Sequence, residues 1–287
     1  MSEERTGPIA GNGSASSHQS GAHALTGGAP ASDSTSDGRD RRSEHGSTEH
    51  GSTVSGAPAI EARGVSAGYG PQPVIHELEL EVRPGEVVAL LGPNGAGKTT
   101  TLLALSGELP LLAGEVAIDG VVTKAPLYKR AQNGLMFVTE EKSVFMGLST
   151  RDNLRVAGVE LDDALALFPE LERRLDVRGG LLSGGEQQML SLARGLCRHP
   201  HVLLADELSM GLAPMIVTRL LEAVRDAADR QGTAVLLVEQ HVRQALRYAD
   251  RAYVMRRGRI ALSGSATELG GRLAEIEGSY LASAAAP

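Results

Sequence analysis

Beyond about position 58, apolar and polar residues recur with two different periods. Ile60, Ala62 and Val65, followed by Val74, Ile75, Leu78, Leu80 and Val82, alternate with polar positions. That period of two predicts antiparallel strands with one face toward solvent. Pro84-Gly85-Glu86 predicts a turn, and the unbroken apolar run 87–91 a strand buried on both faces. Residues 98–106, with Leu102, Leu103 and Leu105, predict a helix. Residues 114–120 predict a short strand ending in an Asp-Gly turn. From about 124 to 182 the pattern changes to several short helices, including 162–168 and 169–175, with a strand-like run at 135–138. Alternation then returns: strand 202–205, helix 214–229, strand 234–238, helix 242–248 and strand 252–255. Strands that alternate with helices imply a mostly parallel sheet with helices on its faces. The expected fold class is therefore α/β, with a mostly parallel core sheet, an antiparallel β subdomain and a helical insert spanning about 124–200.

Composition changes this picture only at the N-terminus. Residues 1–57 are mainly Ser, Gly, Thr, Ala, His and Asp, almost without large apolar side chains. Such a stretch buries too little surface to offset its ordering entropy, so a disordered tail is expected there and a folded domain at 58–287. His18, His23, His45 and His50 lie in this tail at spacings that match no compact metal site. The 287 residues are 41% hydrophobic, enough for one large domain or two small ones after the tail. A net charge of −7 argues against nucleic acid as the main partner. The single cysteine, Cys197, rules out an intrachain disulfide, suits a reducing compartment, and is expected to pack as a small apolar side chain. No apolar run approaches the ~20 residues of a membrane-spanning helix, and no secretion signal is expected. A membrane role would come through a partner.

The chemistry is concentrated at Gly92-Pro93-Asn94-Gly95-Ala96-Gly97-Lys98-Thr99-Thr100, which fits G-x-x-x-x-G-K-[ST], the phosphate-binding loop or Walker A motif. The glycines let backbone approach a polyphosphate closely, and the loop amides converge on the anion. Lys98 can reach the β- and γ-phosphates, and the Thr99 hydroxyl can ligate Mg²⁺. The predicted strand before the loop and helix after it are the context this motif requires, with the helix N-terminus facing the phosphates.

Two further motifs narrow the class. In Leu182-Ser183-Gly184-Gly185-Glu186-Gln187, Ser183 suits an N-cap before the apolar-periodic residues Met189, Leu190, Leu192 and Leu196. That helix start is a second anion-binding N-terminus. In His201-Val202-Leu203-Leu204-Ala205-Asp206-Glu207 an apolar strand ends in two acids, as in a Walker B motif. Asp206 would hold Mg²⁺ through its water shell, and Glu207 would polarise the attacking water.

Together these three motifs resemble those of ATP-binding cassette (ABC) ATPases, and the resemblance covers about 58–281. It implies a P-loop NTPase of ABC type that binds ATP with Mg²⁺ and hydrolyses it. Tyr69 lies where the family stacks an aromatic ring on adenine, and Glu140 lies at the Q-loop position, where Gln is usual. The resemblance implies nucleotide contacts from Tyr69, Gly92, Asn94, Gly95, Ala96, Gly97, Lys98, Thr99 and Thr100. It adds Ser183, Gly184, Gly185 and Glu186 from a second subunit, Thr99, Glu140 and Asp206 around Mg²⁺, and Lys98, Glu207 and Gln240 in catalysis. The segment 209–213 matches the D-loop, with Ala213 in place of Asp. Gln240 falls at the switch position, where His is typical, and His241 follows. If the strand continued through both, only one could face the phosphate.

The departures are similar to the F-type ATP-binding subunit of branched-chain amino-acid importers: Val138-Thr139-Glu140, Leu167-Phe168-Pro169-Glu170-Leu171, Gly211-Leu212-Ala213-Pro214 and Val238-Glu239-Gln240. Leu208 in place of Pro, and Glu141-Lys142 in place of Gly-Arg, depart from that pattern too. This resemblance implies a head-to-tail pair with a homologous or identical ATPase subunit, membrane permeases, an indirect solute-binding protein, and a peripheral place on the cytoplasmic face of the membrane. The alternatives are an importer of another amino acid, an amide or urea, and a non-transport ABC switch. Such switches usually carry two cassettes or a long coiled-coil insert, whereas this chain has one Walker A motif and no sustained heptads. Intact Lys98, Asp206 and Glu207 disfavour a module that binds nucleotide without hydrolysis.

Overall fold

The computed structural model describes residues 56–139, 141, 143–276 and 278. Glu140, Lys142 and all but the last two residues of the expected tail lie outside these. The elements begin with β1 (Ile60–Ala67), β2 (Ile75–Val82), β3 (Val87–Leu91), α1 (Lys98–Ser106), β4 (Leu111–Ile118) and β5 (Val121–Val122). There follow α2 (Leu127–Gln132), β6 (Leu135–Val138), α3 (Thr150–Val156), α4 (Leu161–Leu167) and α5 (Gly184–Leu196). The remainder is β7 (Val202–Asp206), α6 (Pro214–Gln231), β8 (Ala234–Val238), α7 (Val242–Tyr248), β9 (Arg251–Arg256), β10 (Arg259–Ser265) and α8 (Ala266–Gly270).

Among the described residues the strands form a four-stranded sheet, β2-β1-β4-β5, and a six-stranded sheet, β10-β9-β3-β8-β7-β6. The first is antiparallel throughout. In the second only β10 runs antiparallel to its neighbour. The alternation of β7 and β8 divides their apolar residues between two cores. Val202, Leu204, Leu236 and Val238 meet Ile60, Leu80 and Leu102 on one face. Leu203, Ala205, Val235 and Leu237 meet Leu190, Leu220 and Val224, from α5 and α6, on the other.

Four details differ from the sequence pattern. The predicted strand 114–120 begins earlier, as β4, and its Asp119-Gly120 turn leads into β5. Both turn residues have positive φ, 51° and 77°, as a tight hairpin requires; β5 has only two residues, too few to show a period. The strand-like run 135–138 is a strand as expected, β6, but it edges the core sheet rather than belonging to the helical insert. Residues Pro169–Arg174 form a 3-10 helix, because Phe168, extended at φ −133°, and Pro169 interrupt the α-helical path. Finally, β10 and α8 follow the last predicted strand. The outer face of β10 is partly solvated, and its Ser-Gly-Ser end carries little apolar signal.

Two close approaches set the frame around the site. A Cβ on Gly195 would overlap the Met136 side chain, so α5 lies directly on β6. The buried Arg130 guanidinium donates to the carbonyls of Ala125 (2.7 Å), Leu105 (2.5 Å) and Thr123 (3.3 Å), closing the C-terminal turn of α1. Register aligns the C-terminal ends of the central strands: Leu90 lies beside Val238, and Asp206 beside Val238. The Walker A loop, the Walker B acids and the switch therefore emerge at one sheet edge, where open α/β sheets bind ligands.

Candidate functional site

The loop between β3 and α1 is built for backbone proximity. Gly95 and Gly97 adopt φ 79° and 105°, and a Cβ on Gly97 would lie 2.8 Å from Ile75 Cγ2. A Cβ on Gly92 would lie 2.7 Å from the Met255 carbonyl oxygen. Ala96 is buried beneath the loop. Gly97 is the N-cap of α1 and offers no side chain to its first N–H groups, which suits an anion there. Lys98 is only 5% exposed. Its ammonium donates to the carbonyls of Gly92 (2.9 Å) and Pro93 (3.2 Å). Burial pulls its pKa down, against the opposing charges of Glu207 and Asp206.

Opposite the loop, β7 ends in buried Asp206. Glu207 follows in the left-handed region at φ 47°, and its N–H donates to the Val238 carbonyl at 3.0 Å. Gln240 Nε2 donates to Glu207 Oε2 at 2.8 Å. Since a carboxylate only accepts, the Gln240 nitrogen must be the end that faces it. β8 stops at Val238, so strict alternation does not govern the next residues. Glu239 is buried, Gln240 faces Glu207, and His241 is the exposed N-cap of α7. Gln240 therefore does not cap α7.

A cavity of about 420 Å³ lies between the loop and these acids. Tyr69, Asn94, Gly95, Gly97, Lys98, Thr99, Thr100, Glu207 and Gln240 line it, together with Val74 and Met210. Val74 and Met210 were not singled out in the sequence. Val74 reads as part of the alternating strand pattern and Met210 as part of the D-loop segment, and neither reading points to this cavity. Tyr69 is 69% exposed at the rim.

The residues around Ser183 do not join this cavity. Ser183 caps α5 in a reciprocal box: its hydroxyl accepts from the Glu186 N–H at 3.3 Å, and its own N–H donates to the Glu186 carboxylate at 2.8 Å. Arg174 also holds Glu186, at 2.7 Å. Gly185 packs under Ile216, where a Cβ would come within 2.9 Å. Glu140, expected near Mg²⁺, lies outside the described residues. Cys197 packs half-buried at the edge of the core, and burial, then Asp163, pushes its thiol up to about 11. It is an apolar filler rather than a nucleophile.

The ABC transporter family profile matches residues 75–209. The chain is 39% identical over 215 residues to the high-affinity branched-chain amino acid transport ATP-binding protein BraG of Pseudomonas aeruginosa, covering 71% of this chain and 92% of that protein. It is 35% identical over 225 residues to the lipopolysaccharide export system ATP-binding protein LptB of Escherichia coli K12, covering 73% and 92%. A solved ATP-binding subunit of an ABC transporter matches with a TM-score of 0.66 at 26% identity, over 78% of this chain and 99% of that one. A nucleotide-sized cavity behind a Walker A loop, two acids at the end of β7 and relatives matched over nearly their full length lead to one conclusion: the chain belongs to the ABC transporter ATP-binding family, the ATPases that power transport.

Proposed function

We infer that this chain is the ATPase subunit of an ABC importer for branched-chain amino acids. The observation that carries this reading is the 39% identity to BraG over 92% of that protein. The identity to LptB favours a second reading, lipid export.

In the proposed mechanism Lys98 turns from the Gly92 and Pro93 carbonyls to the β- and γ-phosphates, while the loop N–H groups bind the remaining oxygens. Tyr69 stacks on adenine. Glu207 orients the attacking water and takes up its proton. Gln240 has two amide hydrogens: one holds Glu207, and the other is free to donate to a γ-phosphate oxygen. Among the described residues no cluster of His, Cys, Asp and Glu could hold a metal unaided. A Thr hydroxyl and one carboxylate fit Mg²⁺, which takes much of its coordination from phosphate and water. Thr99 and Asp206 would hold it, with Glu140 proposed as a further ligand from its Q-loop position in the sequence alone, and it would neutralise phosphate charge.

Ser183, Gly184 and Gly185 lie away from the chain's own cavity, which is consistent with their closing over the ATP of a second ATPase subunit placed head to tail. Closure would exclude bulk water. A second groove, of about 560 Å³, runs between β6, the segment 143–145 and α5. Arg194 stacks 4.8 Å over the Phe145 ring there, and Phe145 and Met146 are exposed beside it. A groove of mixed polarity with a cationic wall would suit a membrane permease, which supports a place for the cassette at the cytoplasmic face of the membrane.

The test is reconstitution of the full chain with its co-purified membrane subunits in proteoliposomes. Leucine, delivered with the cognate solute-binding protein, is expected to stimulate vanadate-sensitive ATPase and to accumulate. Stimulation by lipopolysaccharide instead would assign the chain to lipid export.

In that assembly Gln240→Ala should lower ATPase by roughly tenfold or more, and His241→Ala by less than about twofold, because only Gln240 reaches Glu207. The phosphate-release assay checks both. The reverse pattern would give the switch role to His241.

A further inference from the structure

Glu239 is a carboxylate the proposed mechanism does not use, yet it is only 1% exposed. A buried carboxylate is costly unless its hydrogen bonds are made. Both oxygens here are engaged by one residue. Glu239 Oε1 accepts from the Ser209 N–H at 3.2 Å, and Oε2 accepts from the Ser209 hydroxyl at 2.6 Å. Desolvation pushes the Glu239 carboxyl upward and the Ser209 bonds pull it back, with His241 lowering and Glu207 raising it further.

Ser209 stands two residues after Glu207, in the turn that carries the chain out of β7. Glu207 has φ 47°, an unfavourable backbone conformation for a residue with a side chain, and persists only if its surroundings enforce it. Four bonds surround it, two of them between Ser209 and Glu239. Its N–H donates to Val238 O, its carbonyl accepts from Met210 N–H at 3.2 Å, and Ser209 is anchored to Glu239. Its side chain is held from Gln240, the residue next to Glu239. Two neighbouring residues beyond β8 thus hold Glu207 from two sides: Gln240 grips its carboxylate, and Glu239 grips the turn that sets its backbone.

We propose that Glu239 is a positioning residue for hydrolysis: through Ser209 it locks the turn after β7, keeping the Glu207 carboxylate aimed at the attacking water. This rests on the assignment of Glu207 as the group that activates water. The lock touches neither phosphate nor adenine, so it acts on turnover and not on nucleotide affinity.

The test measures kcat, the KM for ATP, ATP-analogue binding and melting temperature in the full chain assembled with its membrane subunits. Glu239→Ala should lower kcat about 10- to 100-fold, the range for a misplaced catalytic group, with KM for ATP within about twofold. Glu239→Gln should recover most of that rate, since its amide oxygen can accept from the Ser209 N–H and its nitrogen can donate to the Ser209 hydroxyl. Ser209→Ala should lose part of the rate, and adding it to Glu239→Ala should cost nothing further, because both remove one lock. Wild-type kcat in Glu239→Ala overturns the proposal. So do additive losses, equal falls in kcat and analogue binding, or a Glu239→Gln variant no faster than Glu239→Ala. If Glu239→Ala does not fold, Glu239→Gln and Ser209→Ala still decide: full rate in both overturns the proposal. Glu207→Gln is run alongside. Normal turnover in that control would refute the assignment of Glu207, whatever the Glu239 variants do.

Discussion

Glu207→Gln is expected to bind ATP as tightly as the wild type and to hydrolyse it roughly 10²- to 10⁴-fold more slowly, the loss typical of removing a general base. The substitution keeps the shape of the side chain. Its amide oxygen can still accept the 2.8 Å bond from Gln240, and the backbone bond to Val238 does not involve the side chain. What disappears is a carboxylate able to take a proton from water. The position is half-buried, so bulk water does not easily substitute for it. Equilibrium binding of a fluorescent ATP analogue and single-turnover phosphate release measure the two quantities separately. Lost binding would move Glu207 from catalysis to structure, and an unchanged rate would remove it from the mechanism.

Lys98→Ala should abolish measurable hydrolysis and also weaken ATP binding. Hydrogen bonds to charged groups contribute about 1.5–3 kcal/mol, so affinity should fall roughly 10- to 150-fold. The ammonium is buried and bonded to two carbonyls of its own loop. Burial disfavours its charge, and an arriving polyphosphate would favour it. Lys98→Ala thus removes both the counter-charge and a brace of the empty loop. Lys98→Arg is the useful companion: it keeps the charge but brings a planar fork into a space shaped for a point cation. It should recover some binding and little turnover. Wild-type turnover in Lys98→Ala, read by phosphate release, would refute the Walker A assignment.

The residues that bear these predictions were legible along the chain because their chemistry is local. A phosphate-binding loop needs glycines at fixed offsets, a lysine and a hydroxyl, all within nine consecutive residues. The strands β3 and β8, and β7 up to its terminal Asp206, are unbroken apolar runs because both faces of a central parallel sheet are covered. The helix after Ser183 announces itself by its cap and its apolar period. These features determined the fold class, the nucleotide and the two acids.

Tertiary structure decided what depends on residues far apart in sequence. Gln240 and His241 are adjacent, and nothing in their order says which one meets Glu207, 33 positions upstream of Gln240. The choice follows from where β8 stops and how the chain turns into α7. The run 135–138 looks the same whether it ends a helical insert or edges the core sheet; pairing with β7 made it β6. Glu239 reads as an ordinary acid until Ser209 is found against it, 30 positions away. The residue order of the Ser183 motif does not fix its distance from the chain's own cavity; the resemblance implied a second subunit's nucleotide, and the fold sets the motif apart from the cavity lining. Short-range periodicity encodes which face of an element is apolar, while the meeting of two polar side chains across a sheet is set by the packing of every element between them.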